Sequence, residues 1–136
     1  MKKLKTLNNI KMKLSDKIAF GIVTGYSFFH LLILIGILPQ NIVWGGKIIE
    51  PKTILYLEFA ALLIMLFLGF LVLIKTKIVQ WNWQVKTINR WLLAFSIYFL
   101  LNTFANLLAE TTFEKAQAIL TLILAISLFN LAKRKL

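Results

Sequence analysis

The chain has 136 residues, 60% of them hydrophobic, with a formal net charge of +11, one histidine and no cysteine. So large an apolar share exceeds the about 45–50% of soluble domains, and a fold this small leaves too much surface exposed to hide it, which excludes a soluble globular domain. The missing cysteines exclude disulfides, thiolate metal sites and cysteine nucleophiles, and a lone histidine excludes a multi-histidine metal site or bis-histidine haem within one chain, so no metal or other cofactor is expected.

Residues 1 to 17 make a basic tail with Lys2, Lys3, Lys5, Lys11, Lys13 and Lys17. Leu4, Leu7, Ile10 and Leu14 recur between them at helical spacing. That pattern predicts a short amphipathic helix lying on anionic headgroups, with a solvated tail that carries only a topology signal as the alternative. Ser15 is the expected N-cap of the helix that follows. Residues 18 to 38 form the first span, an apolar run too long for the core of a signal peptide and ended by Pro39, so an uncleaved anchor is expected. Gly21 and Gly25 give it a GxxxG pair, which permits close helix approach and a homodimer.

Residues 39 to 53 interrupt the apolar sequence. The Gly45-Gly46 pair predicts a tight reversal, because glycine reaches φ values that other residues avoid. Trp44 is expected to anchor this hairpin at the headgroups, and a lid over a pocket is its alternative role. Pro51 suits the start of a helix. The second span covers about residues 53 to 74, with Glu58 some one and a half turns inside it. A polar linker with Trp81 and Trp83 leads to a third span at about 87 to 109. A turn from Glu110 then leads to a fourth at about 115 to 132. The fold class is an all-α membrane protein, a four-transmembrane-helix bundle in a single domain.

Charge sets the orientation. Thirteen of the sixteen basic residues lie in the N-terminal tail, the linker between spans two and three, and the Lys133-Arg134-Lys135 end. Such asymmetry places both termini in the cytoplasm, against the anionic headgroups of a bacterial-type inner membrane. The net charge is thereby a topology device, and nucleic acid is not an expected partner. All four tryptophans, Trp44, Trp81, Trp83 and Trp91, fall at predicted interfaces.

Polar groups inside a bilayer are costly, so each needs a partner or a use. Tyr26, Ser27 and His30 share one face of the first span. Glu58 and Tyr56 sit in the outer third of the second. Asn102, Asn106 and Glu110 form an i, i+4, i+8 stripe on the third, and Gln117 and Thr121 bring the fourth to the same depth. These groups predict an outward-facing polar pocket beneath the hairpin. Its titratable pair is His30 and Glu58, able to relay a proton, and Tyr26, Asn102 and Asn106 are its hydrogen-bonding partners. The ligand expected is a small lipophilic or cationic molecule. The competing expectations are bland: His30 and the asparagines as glue between helices, Glu58 snorkelling to the headgroups, and Glu110 and Glu114 as ordinary interfacial acids. A structural or accessory subunit without pocket chemistry is the alternative function. A lipid-modifying membrane enzyme ranks below it, because the chain has no nucleophile–base motif, metal-ligand cluster or phosphate loop.

His30 in the first span, Trp44-Gly45-Gly46 followed by Pro51, and Asn106-Leu107 followed by Glu114 together resemble an uncharacterised family of small four-span bacterial integral membrane proteins. The resemblance implies the fold and the topology, and it brings no activity, cofactor or substrate. Small multidrug transporters share the span count but carry their essential carboxylate in the first span, whereas the embedded acid expected here, Glu58, lies in the second.

Overall fold

A computed structural model describes residues 12–47 and 50–135. The amphipathic helix expected over residues 1 to 17 lies largely outside them. Four long helices carry the described fold: α1 (Leu14–Leu34), α2 (Pro51–Lys75), α3 (Val85–Leu108) and α4 (Thr112–Lys133). They have 21, 25, 24 and 22 residues and are apolar enough to cross a membrane. At about 1.5 Å per residue they extend about 31–38 Å, against a hydrocarbon core of about 30 Å.

The helices run alternately up and down and close a ring. α3 and α4 share the broadest interface, then α1 and α2, then α1 and α4, while α2 and α3 touch least. One end carries the hairpin residues 35–47 and the α3–α4 turn, and the other gathers the start of α1 and the end of α4. The dense core fills the half nearer the termini, where Val23 of α1, Leu71 of α2, Leu92 of α3 and Leu128 of α4 pack with almost no exposure. Buried hydroxyls tie α3 to α4: Ser96 Oγ donates to Ala125 O at 2.7 Å, and the Thr103 and Thr121 hydroxyls are 2.9 Å apart. Gly21 and Gly25 meet nothing within 4 Å, so the GxxxG face points away from the other helices.

Local chemistry sets the ends. α1 stops at Leu34, short of the expected Leu38, because Gly36 at φ +79° makes a left-handed cap: Gly36 N–H donates to Ile33 O and Ile37 N–H to Leu32 O. Lys77, at φ 61°, closes α2 in the same way without being glycine. The N-cap of α1 is Lys13 rather than Ser15. Asp16, three positions on, turns back to accept from Lys13 N–H at 2.9 Å. Pro51 occupies the first position of α2. Thr111 caps α4 by accepting from Glu114 N–H at 3.2 Å.

Candidate functional site: a carboxylate-latched hairpin over a membrane cavity

Glu58 is fully buried and uses both carboxylate oxygens. Oε2 lies 2.7 Å from His30 Nδ1 on α1, and Oε1 accepts from the Trp44 indole N–H at 2.8 Å. Glu58 therefore does not snorkel, and His30 pairs with it rather than with Asn102. Trp44 turns its indole into the bundle, onto Glu58, instead of serving only as a headgroup anchor.

The hairpin is held in an unusual backbone. Trp44, Gly45 and Gly46 have φ of 57°, 70° and 65°, three left-handed residues in succession. Glycine tolerates this, but a tryptophan there costs about 1–2 kcal/mol. A Cβ on Gly46 would also come 3.1 Å from Asn41 O. Two carboxylates hold the strained turn. Glu58 takes the indole, and Glu114 Oε1 takes the Gly45 N–H at 2.7 Å while its Oε2 takes the Thr111 hydroxyl at 2.6 Å. Strain that persists under such double restraint is typical of functional turns. Glu114 is thus more than an interfacial acid. The Thr111-Thr112-Phe113-Glu114 spacing of a capping box was the signal for it, although its carboxylate is diverted to the hairpin and to the Thr111 side chain.

Beneath the hairpin lies a cavity of about 430 Å³. It occupies the gap where α2 and α3 pack thinly. Every residue singled out as a ligand or relay candidate lines it: Tyr26, His30, Glu58, Asn102 and Asn106, with Trp44 in its roof. Its walls also include Phe29, Phe99 and Tyr98, rings that helical periodicity alone did not distinguish from lipid-facing ones. Ala60 and Ile64 on α2, and Tyr98 and Ala105 on α3, line the cavity and are exposed as well, so its mouth lies on the flank of the bundle. Two buried polar atoms of the lining lack a partner, Tyr26 Oη and Asn106 Nδ2.

Other expected members stay out. α3 ends at Leu108, so Glu110 leaves the asparagine stripe and pairs on the surface with Lys47 at 3.5 Å. Tyr56 is 75% exposed. Ser27 Oγ donates to Val23 O on its own helix, and Thr121 is engaged with Thr103.

A second buried polar cluster, absent from the sequence reading, ties the opposite end. Asp16 takes a two-pronged bond from Arg134, at 2.7 and 2.6 Å. Lys75 Nζ donates to Asn89 Oδ1 at 2.6 Å and to Arg134 O at 3.0 Å. The hydrogen bonds from Arg134 to Asp16 hold the guanidinium above its ordinary pKa; desolvation opposes this and the charge attraction adds to it.

The fold and the composition define the class, a multi-pass membrane protein built as a four-helix bundle. No protein-family model, curated protein or solved structure was found to match the chain.

Proposed function

We propose that this is a multi-pass protein of a bacterial-type inner membrane, with both termini cytoplasmic, that binds a small lipophilic or cationic ligand in the hairpin-covered cavity and couples its passage to a proton held by His30 and Glu58. The orientation rests on the basic residues at the termini end. The observation that carries the function is the 2.7 Å His30–Glu58 contact in the wall of a cavity roofed by Trp44. A buried carboxylate and imidazole in contact can pass a proton between Oε2 and Nδ1, and intramembrane ionisable pairs of this kind mark ligand and proton pathways. The roof contact uses the other oxygen of the same carboxylate, so a change at Glu58 also changes the latch on the hairpin.

The test is native mass spectrometry of full-length protein released gently from detergent, alongside proton flux in proteoliposomes. Native protein is expected to retain a small molecule that His30→Ala and Glu58→Gln lose, with flux falling in both variants. Retention and flux unchanged by either substitution would remove the mechanism. A purely structural role is favoured by the Ser96–Ala125 and Thr103–Thr121 contacts and by the Asp16–Arg134 cluster, which join helices. The cavity lining differs from these, since Tyr26 Oη and Asn106 Nδ2 stay unpartnered.

A further inference from the structure

We propose that the cavity selects an organic ammonium cation with a lipophilic body and admits it from the flank of the bundle, between α2 and α3. This rests on the cavity reading above and adds the sign of the ligand's charge and its route.

Charge is the first argument. Glu58 and Glu114 both line the cavity, and among the described residues no lysine or arginine does. Lys47, on the hairpin, is turned to Glu110 on the surface. The lining therefore presents two carboxyl groups with His30 as its one basic side chain. An anionic ligand would meet like charge in a site of low dielectric, where such repulsion is screened least.

The walls give the second argument. Tyr26, Phe29, Trp44, Tyr98 and Phe99 contribute five aromatic rings to the lining. Aromatic rings attract ammonium groups, most strongly when water is excluded, and quaternary ammonium ligands are recognised by cages of this composition. A lipophilic body satisfies the alanine, leucine and methionine parts of the wall, and a cavity of about 430 Å³ suits a small drug-sized molecule.

The mouth supplies the route. Ala60 and Ile64 on α2 and Tyr98 and Ala105 on α3 are the exposed lining residues of those two helices, and the two alanines are the smallest of them. The hairpin roof is latched at two points, by Trp44 on Glu58 and by Gly45 on Glu114. Entry between the helices leaves both latches closed. A molecule that approaches there comes out of the bilayer, which concentrates amphiphilic cations but not small hydrated ones. Tyr26 Oη, still unpartnered, offers a lone pair to the positively polarised hydrogens around an ammonium nitrogen, and Asn106 Nδ2 offers a donor to an oxygen where the molecule carries one.

The test is calorimetric titration of the full-length protein in nanodiscs, with empty nanodiscs subtracted. The probes are benzyltrimethylammonium, its uncharged carbon isostere neopentylbenzene, and benzylsulfonate. The cation is expected to bind at least about tenfold tighter than the isostere, since ring and carboxylate attraction act on the charge alone, and the sulfonate not at all. Ala105→Trp, which fills the mouth without touching Glu58, should abolish binding. Tyr98→Leu should weaken the cation by about threefold to tenfold and leave the isostere unchanged. Equal binding of cation and isostere, both blocked by Ala105→Trp, would overturn the charge selection and leave the cavity reading standing. Binding of the cation that Ala105→Trp does not reduce would overturn the lateral route. If no probe binds the native protein, both the cation and the cavity readings fail.

Discussion

Replacing Asp16 by asparagine is the most direct perturbation of the clamp that closes the bundle at its termini. The carboxylate is fully buried and accepts from both Arg134 guanidinium nitrogens, from Lys13 N–H and from Ser15 Oγ. Asparagine keeps the shape but presents one acceptor oxygen and turns an NH2 group toward a donor. It also leaves Arg134 and the buried Lys75 as two cations with no anion between them. Removing one partner of a buried ion pair costs about 3–5 kcal/mol. Arg134 keeps 18% side-chain exposure, so water screens part of that cost and about 2–4 kcal/mol is expected. Lys75→Met alone strands the Asn89 and Arg134 acceptors, a loss of about 1–3 kcal/mol. In the Asp16→Asn background the same change also relieves repulsion, so its cost should fall by at least about 1 kcal/mol, a coupling that a double-mutant cycle reads directly. The assay is equilibrium unfolding of the full chain in mixed micelles with rising sodium dodecyl sulfate, followed by tryptophan fluorescence and far-ultraviolet circular dichroism. An Asp16→Asn protein within about 0.5 kcal/mol of native would refute the assignment of the cluster as a clamp.

Three further outcomes are expected. Lys77→Gly should stabilise the protein by roughly 0.5–1 kcal/mol, since residue 77 already sits at a left-handed helix cap, and the same unfolding titration measures it. Gly46→Ala should destabilise the hairpin by about 1–2 kcal/mol through its positive φ and the close Asn41 carbonyl, seen as faster amide exchange at Gly45 with the helices unaffected. Leucine at Gly21 or Gly25 should change stability by less than about 0.5 kcal/mol, because nothing packs there within one chain; a larger loss that depends on protein concentration would show a second copy on that face.

Helix number and length were legible because they depend on one variable, the distance along an apolar run. Each helix falls within a few residues of its expected position, and the differences have local causes. Gly36 caps α1 early, and Thr111 with Glu114 starts α4 one turn sooner than hydropathy alone suggests. The meeting of His30 with Glu58 was half legible. Both belonged to the polar groups beneath the hairpin, and a costly buried acid needs a partner, but hydropathy does not say which way a side chain points around its helix. That second variable separates Tyr26, which lines the cavity, from Tyr56, which is exposed, although both were counted among the polar groups of the apolar spans.

The clamp was missed for a related reason, and it bears on how charge counts are used in membrane proteins. Arg134 and Lys75 entered the count only as basic residues beyond helix ends, interchangeable with Lys133 and Lys135. In the fold they are not interchangeable. Arg134 reaches back across the ring to the first turn of α1, and Lys75 is 1% exposed. The available signal was Asp16, the one acidic residue among the basic groups of the termini end. A lone acid at the buried start of an apolar helix is costly unless paired, so its presence there calls for a partner. Only closure of the four-helix ring brings that partner, 118 positions away, within reach. In the same fold α2 and α3 share the thinnest interface, and both line the cavity near the hairpin. The clamp and the cavity are therefore consequences of one packing arrangement: tight at the termini, and held apart near the hairpin, where Glu58 and Glu114 restrain the roof.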